Sequence, residues 1–262
     1  MGTIIAKMNL GSGLYYTAQV WIGHFRGGLA LATTLACALF AAMASSSPPA
    51  LLTLGNVAIP QMRKYNYDMS LATASLCSAG TLGILIPPST GFILYSLLTD
   101  QSIGKLFMAG ILPGVLLTLL FFVTIMIMVR RNPKLAPPGP STTFKTKLIS
   151  LKETWAVILL FLLVIGGMYG GVFTATEAGA VGAFGALVIA AAVRNINAAN
   201  FKATLFDSLR MTGMIAFLLM GGYLLMRFIA ITNIPFEIAG IIQSLEINRY
   251  LVIGMIVVLH II

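Results

Sequence analysis

In the stretch Leu82-Gly83-Ile84-Leu85-Ile86-Pro87-Pro88-Ser89, an apolar run is interrupted by two adjacent prolines. An earlier stretch, Ser45-Ser46-Ser47-Pro48-Pro49, contains the same interruption. Proline has no N–H and clashes with the carbonyl four residues before it, so each pair predicts a break in a helix. In hydrocarbon, such a break is tolerated only where protein or a water-filled cavity covers the unpaired backbone groups. Two breaks beside serines and glycines therefore predict a solute or ion site near the bilayer midplane.

Composition places the whole chain in a membrane. Hydrophobic residues make up 58% of the 262 residues, charged residues only 9%, and the mean hydropathy is +0.97. A soluble domain carries about 25% charged residues, so we predict an all-α polytopic membrane protein embedded in the lipid bilayer. The net charge of +9 falls in short loops between apolar runs, which indicates orientation signals and not nucleic-acid binding. Cys37 and Cys77 lie in apolar stretches without a partner motif and are expected to be inert thiols.

Apolar runs and polar connections divide the chain into six segments. Gly27–Met62 consists of two apolar arms, and Met69–Leu98 is one apolar run split at Ile86-Pro87-Pro88. After a short amphipathic stretch from Ser102 to Ala109, Ile111–Val129 is long enough to be a spanning helix. The predicted segments are an interfacial segment (1–26), a re-entrant hairpin (27–62), a discontinuous helix with the following transmembrane helix (63–129), a basic cytoplasmic loop (130–153), a helical hairpin with an amphipathic connector (154–210), and the start of a second repeat (211–262).

The distribution of lysine and arginine fits this arrangement. With 27–62 re-entrant and 69–98 a single crossing, thirteen of the sixteen basic residues fall on one face, which the positive-inside rule makes cytoplasmic. Two full crossings in 27–62 would leave the same charges on the same faces. Arm length separates the two arrangements, because the second arm, taken from Ala50 to Pro60, has about eleven residues and is too short to cross. We therefore expect the hairpin.

The hairpin tip and the second break together offer oxygen ligands. Ser46 and Ser47 supply hydroxyls at the tip, and the unwound backbone of Gly83–Pro88 supplies carbonyls, which suit a hard cation such as Na⁺. Half-helices beginning near Ala50 and near Gly91 point positive dipole ends that suit an anionic solute. Ser89 and Thr90, directly after the break, are candidates for the substrate pathway. The alternative is a plain proline kink in each of two structural helices.

Other polar residues have simpler interpretations. Glu177 begins an apolar helix, where an acid caps the helix more often than it carries a proton or a cation; Thr174 or Thr176 would assist the cap. Arg227 is near the end of its span and is expected to snorkel to the interface, the alternative being a clamp for a substrate carboxylate. The two histidines, His24 and His260, have no ligand partners at suitable spacing. With no nucleophile–base pair in the spans, we predict that the chain is not an enzyme and uses no cofactor.

Three stretches resemble the large membrane subunit of the TRAP (tripartite ATP-independent periplasmic) transporters. They cover the first hairpin, the broken helix with its exit, and a glycine-rich turn into a Thr-Glu-Ala helix: 36–67, 82–114 and Tyr169–Ala178. The resemblance implies an elevator-type permease for sodium-coupled symport of an organic acid, such as a C4-dicarboxylate or sialic acid. It also implies a multi-pass protein of the cell inner membrane, with a small membrane subunit and a periplasmic solute-binding protein as partners.

The resemblance further implies one sodium site where the first hairpin tip meets the unwound helix. Carried over by position, its ligands are Ser46 and Ser47 at the tip and the carbonyls of Gly83, Ile86 and Pro88. This chain departs from the family pattern at Ser45, where glycine is usual, and at Pro49-Ala50, where Ala-Thr is usual. Ala175 replaces a customary proline.

By family length, the chain is expected to be a middle part of such a permease, without the second proline-rich hairpin and its sodium site. Two other interpretations remain open from the sequence. One is a truncated, transport-inactive remnant of the permease; the other is a permease of another elevator family.

Overall fold

The computed structural model describes residues 2–7, 10–44, 47–139, 142–193, 197–244 and 248–261, and within these ranges the chain is helical apart from short connections. Two compact units are present, Met1–Ser208 and Leu209–Ile262. The helices up to the long basic connection are α1 (Gly2–Lys7), α2 (Leu10–Ile22), α3 (Gly28–Ala44), α4 (Ser47–Lys64), α5 (Met69–Gly80), α6 (Leu82–Leu85), α7 (Thr90–Thr99) and α8 (Ile103–Arg131). The later helices are α9 (Phe144–Phe161), α10 (Gly167–Tyr169), α11 (Ala175–Ala192), α12 (Ala198–Ile231), α13 (Ile234–Ser244) and α14 (Arg249–Ile261).

Several of these helices are long and apolar enough to cross a bilayer. Among the described residues there are five such stretches: Met69–Thr99, Ile103–Arg131, Phe144–Tyr169, Ala175–Ala192 and Ala198–Ile231. They carry the hydrophobic character that the composition indicates, and most of their surface is left exposed by the fold. The prediction of an all-α polytopic membrane protein is confirmed.

Helices α3 and α4 form an antiparallel hairpin, as expected. At its open end, the backbone N–H of Leu29 donates to the Tyr67 hydroxyl at 3.2 Å. Nearer the tip, Phe40 of α3 and Thr53 of α4 both lie against Gly11 of α2. The inner faces are buried, with Phe40, Met43, Leu54 and Met62 essentially inaccessible to solvent.

The second arm of the hairpin is longer than predicted. Helix α4 has 18 residues and continues through Pro60 to Lys64, so the prediction that this arm ends at Pro60 is wrong. Pro60 removes only the hydrogen bond to the Asn56 carbonyl, and the burial of Ala58 and Met62 on either side holds the helix together. At about 1.5 Å per residue the arm is about 27 Å long. Arm length therefore no longer argues for re-entry, which remains a prediction.

The run Met69–Thr99 is split where the prolines predict. Helix α5 begins at an Asp68 cap, α6 is a single turn, and Ile86–Ser89 is non-helical before α7 starts at Thr90. The bond between Pro87 and Pro88 is cis. A further interruption at Thr81, which the sequence analysis did not predict, separates α5 from α6.

Two boundaries around α8 differ from the predictions. Ser102–Ala109 is not a separate amphipathic element, because α8 runs unbroken from Ile103 to Arg131 and includes Pro113. The basic connection is also shorter than 130–153, since α9 already begins at Phe144. Between them lie a short 3-10 helix, Pro133–Leu135, and an antiparallel bridge between Arg26 and Pro138.

Helix α2 lies in the core of the first unit. Leu14, Tyr15 and Ala18 are almost fully buried. On the α9 side, the Thr17 hydroxyl donates to the Ser150 carbonyl at 2.7 Å. The segment 1–26 thus contributes to packing; whether it also lies at the membrane interface remains a prediction.

The end of the chain also differs in one boundary. Residues 198–210, predicted as a semi-polar connector, form the first part of α12, which continues to Ile231. The second unit then contains α13, which has Glu237 in its first turn and lies close to the predicted amphipathic stretch, and α14. The six-segment division is otherwise not tested by these bounds.

Candidate ion and solute site

The break between α6 and α7 exposes backbone groups of an otherwise apolar span. Ile86 and Ser89 both have extended conformations, with φ/ψ of −83°/122° and −121°/132°. Pro87 and Pro88 have no N–H, so the carbonyls of Gly83 and Ile84 cannot make their usual bonds four residues on. The Ile84 carbonyl accepts instead from the Ser89 hydroxyl. The Gly83 carbonyl is left without a helical partner, and Gly83 and Pro87 are buried.

Helix α8 covers this break with two glycines four residues apart. A side chain at Gly110 would collide with the ring of Phe92 and would lie 2.8 Å from the Leu85 carbonyl oxygen. A side chain at Gly114 would lie 3.0 Å from Cγ1 of Ile86. Small residues at this spacing let backbones approach closely in membrane proteins. Gly110 and Gly114 thus provide the protein cover that a broken helix requires in hydrocarbon.

The structure brings the second arm of the hairpin close to the same region. Leu51, in the first turns of α4, lies against Gly80, where a Cβ would be 2.6 Å from the leucine Cδ2. Gly80 is three residues before Gly83. Further along the same two helices, Leu76 lies against Gly55 at 3.1 Å, measured in the same way. The start of α4 therefore lies against the end of α5, a few residues before the break. A sodium ion shared by the two elements remains a prediction.

The structure describes one of the two predicted hydroxyl ligands. Ser46 lies outside the described residues. Ser47 is the first residue of α4 and is half-buried, so its backbone sits at the positive end of that helix dipole. Helices α4 and α7 begin at Ser47 and Thr90, three and one residues earlier than the half-helix starts predicted near Ala50 and Gly91.

The candidates for the substrate pathway lie at the exit of the break. Ser89 is fully buried, and its hydroxyl is engaged with the Ile84 carbonyl. Thr90 is the first residue of α7 and is half-buried. Ser89 therefore closes the break locally, and a direct role of either residue toward a solute remains a prediction.

Asp68 joins the hairpin, the split helix and the basic connection. Its carboxylate caps α5 by accepting from the backbone N–H groups of Ser70 at 2.8 Å and Leu71 at 3.4 Å. Its own N–H donates to the Leu135 carbonyl at 2.9 Å. The neighbouring Tyr67 is buried, which raises the pKa of its hydroxyl, and the hydrogen bond from Leu29 opposes part of that rise.

Glu177 lies in a helix cap. Thr174 Oγ1 accepts from the Glu177 N–H at 3.3 Å, and Glu177 Oε2 accepts from the Thr174 N–H at 2.8 Å, which is a capping box. The same carboxylate oxygen accepts from the Thr174 hydroxyl. The described hydrogen bonds of this cap involve Thr174 and Glu177, and not Thr176.

Arg227 is exposed in α12, five residues before Thr232.

Sequence reasoning missed Gly110, Gly114 and Asp68 as residues that shape the site. The small-residue spacing in Gly110-Ile111-Leu112-Pro113-Gly114 was the available signal for the glycines. For Asp68 it was the acid directly before an apolar helical run, a common N-cap position.

Comparisons with known proteins agree with this architecture. The family model described as "Tripartite ATP-independent periplasmic transporter, DctM component" matches residues 1–262. The chain is 37% identical, over 235 residues, to the C4-dicarboxylate TRAP transporter large permease protein DctM of Pseudomonas aeruginosa, covering 89% of this chain and 55% of that protein. Against the protein of the same name from Vibrio cholerae it is 36% identical, covering 83% and 52%.

A third relative carries a different substrate in its name. The chain is 33% identical to the ectoine/5-hydroxyectoine TRAP transporter large permease protein UehC of Ruegeria pomeroyi, covering 90% of this chain and 55% of that protein. The chain thus spans about half the length of the curated relatives it matches. The family is one of transport proteins and not of enzymes, as predicted. By the match over its whole length, the chain belongs to the DctM component family of the tripartite ATP-independent periplasmic transporters.

Proposed function

We propose that this chain forms part of the permease subunit of a sodium-coupled transporter that takes up a small organic acid. The observation that carries the proposal is the break at Ile86–Ser89. It deprives the Gly83 carbonyl of its helical partner inside an apolar span and is covered by Gly110 and Gly114. Backbone carbonyls of this kind can coordinate Na⁺ without a charged side chain in the span.

The proposed sodium site combines two elements. Ser47, the first residue of α4, and Ser46 before it would contribute hydroxyls, and the break would contribute the carbonyls of Gly83, Ile86 and Pro88. The contact of Leu51 with Gly80 supports this pairing, because it brings the two elements together within a few residues of the proposed ligands. The N-termini of α4 and α7 would attract the negative charge of a solute near Ser89 and Thr90.

The proposed substrate is a carboxylate, with a C4-dicarboxylate as first candidate because two of the relatives above carry that name. Because the third relative is named for ectoine, other small organic solutes are also candidates. As partners we propose a small membrane subunit and a periplasmic solute-binding protein that delivers the solute. The proposed location is the inner membrane, with the basic connections of 130–153 on the cytoplasmic face.

The test is sodium-dependent uptake by the assembled transporter in proteoliposomes, with radiolabelled succinate as the probe. Ser46→Ala and Ser47→Ala should each raise the Na⁺ concentration that gives half-maximal uptake, because each removes one oxygen ligand. Ser78→Ala, at an exposed position of α5, is the matched control and should leave that concentration unchanged.

Two results would separate the parts of the proposal. An unchanged sodium dependence in both serine variants would remove these hydroxyls from the site. Uptake that needs no sodium in the unmodified protein would overturn sodium coupling itself.

A further inference from the structure

An apolar cavity of about 700 Å³ opens between α2, α3, α8 and α9 in the first unit. The break contributes Ile86 and Pro87 to its wall, and α9 with the turns up to α10 contributes a row of side chains from Leu151 to Tyr169. This volume is in the range of small-molecule sites, about 300–1,000 Å³. The cavity is therefore large enough for a defined ligand.

Three of the four hydroxyls in the wall, those of the threonines, are already engaged; the fourth belongs to Tyr169. Thr17 donates to the Ser150 carbonyl at 2.7 Å, Thr118 to the Gly114 carbonyl at 2.8 Å, and Thr154 to the Leu151 carbonyl at 3.0 Å. A polar solute entering this space would lose its hydrogen bonds with water and gain few from the wall. The cavity favours a hydrocarbon chain.

One end of the cavity carries positive charge. The Lys147 ammonium lies over the ring of Trp21, 6.0 Å from its centroid, and the Trp21 indole N–H donates to the Lys147 carbonyl at 3.3 Å. Trp21 is itself part of the cavity wall. The cation and the indole are therefore held together at the rim, where tryptophan and lysine commonly mark the membrane–water boundary.

The basic connection after α8 is fixed to the same end. Gly139 N–H donates to the Gly23 carbonyl at 3.1 Å, and the Thr142 hydroxyl donates to the Val20 carbonyl at 2.6 Å. The connection carries Lys134, and the first turns of α9 carry Lys145, Lys147 and Lys152 beside one acid, Glu153. The rim thus has the charge that attracts an anionic headgroup on the cytoplasmic side.

We propose that this cavity binds an anionic phospholipid of the cytoplasmic leaflet, with its phosphate at Lys147 and an acyl chain along α9. The dimensions agree: Leu151 and Phe161 are ten residues apart, about 15 Å along a helix, and half of a hydrocarbon core of about 30 Å is the same length. Because the acyl chain lies against Ile86 and Pro87, the lipid contacts the break directly. The inference requires membrane embedding but not sodium coupling.

The test is lipid binding to the full chain in detergent, after delipidation. Dioleoyl phosphatidylglycerol and dioleoyl phosphatidylcholine, which share their acyl chains, are titrated separately while bound lipid is counted by native mass spectrometry. We expect tighter binding of phosphatidylglycerol. Lys147→Gln should weaken phosphatidylglycerol binding about fivefold, the effect of one surface cation, and leave phosphatidylcholine unchanged. The control Lys105→Gln, at an exposed position near the start of α8, should change neither.

A second variant tests the cavity itself. Val115→Trp, at an exposed position of the wall, should fill the cavity and reduce binding of both lipids. Equal binding of the two lipids, or a Lys147→Gln variant indistinguishable from Lys105→Gln, would overturn the proposal. Displacement of the lipid by the purified small membrane subunit would also overturn it, in favour of a protein helix as the occupant.

Discussion

Gly110 of α8 lies directly against the carbonyl group of Leu85, at a distance that leaves no space for a side chain: a Cβ at position 110 would be 2.8 Å from that oxygen. The ring of Phe92 closes the same position from the other side of the break. The fit of α8 to the split helix therefore depends on the absence of a single methyl group.

Replacement of Gly110 by alanine should destabilise the protein by about 1–3 kcal/mol, because the added methyl forces α8 away from the break. The measurement is thermal unfolding in detergent. Gly104→Ala is the control in the same helix, since its Cβ would meet only Ser102 Oγ, at 3.9 Å. Equal melting temperatures for the two variants would show that α8 does not constrain the break.

Removal of the Tyr67 hydroxyl should also destabilise the fold. Tyr67→Phe deprives the Leu29 N–H, a donor in the first turn of α3, of the oxygen that accepts from it at 3.2 Å. A buried donor without a partner costs about 1–3 kcal/mol. The unfolding free energy should fall by that amount, and a variant as stable as the unmodified protein would contradict the closure of the hairpin by this bond.

Tyr15→Phe should give the opposite result. The Tyr15 hydroxyl is buried beside Thr33, but it makes no hydrogen bond of standard geometry with a described residue. Replacing an unsatisfied hydroxyl by hydrogen relieves a desolvation cost of about 1–3 kcal/mol. The unfolding free energy should therefore stay the same or rise, and a loss comparable to that of Tyr67→Phe would reveal a partner for Tyr15.

The capping box allows the role of Glu177 to be tested directly. Glu177→Gln keeps an acceptor oxygen at the third helical position, so the cap survives and transport in the assembled protein should stay near the unmodified level. Thr174→Ala removes the cap and should cost about 1 kcal/mol of stability. If Glu177→Gln abolishes uptake while stability is unchanged, the acid carries a proton or a cation and the cap is secondary.

The two ends of the hairpin should react from the same side of the membrane. Phe25 and Asn66 are exposed and flank the hydrogen bond between Leu29 and Tyr67. Phe25→Cys and Asn66→Cys, each in a background without Cys37 and Cys77, should both be labelled by a membrane-impermeant maleimide from the cytoplasmic face. Labelling of the two cysteines from opposite faces would exclude a hairpin.

Features set by local covalent chemistry were predictable from the sequence. The break at Pro87 follows from a missing N–H, and the cap at Thr174 follows from a Thr-x-x-Glu motif before an apolar run. The pairing of α3 with α4 followed from two apolar arms joined by a short polar tip. These features need no knowledge of distant residues.

Features that depend on packing were not predictable. Pro60 and Pro113 each lie inside a continuous helix. Around Pro60, the burial of Ala58 and Met62 outweighs the loss of one hydrogen bond. The sequence also could not indicate that Gly110 meets Leu85 or that Leu51 meets Gly80, since each pair joins separate elements. The sequence indicated the proposed ligands by their residue type and order. Only the contacts in the structure show how the elements that carry them are placed.

The hydrogen bonds of Asp68 have a mechanical consequence. One residue ends the turn after α4, starts α5 and grips the Leu135 carbonyl of the loop after α8. The junction between the hairpin and the split helix is thereby linked to the loop after α8. Any displacement of this junction across the bilayer would therefore also move Lys134 and its neighbours relative to the charged membrane surface.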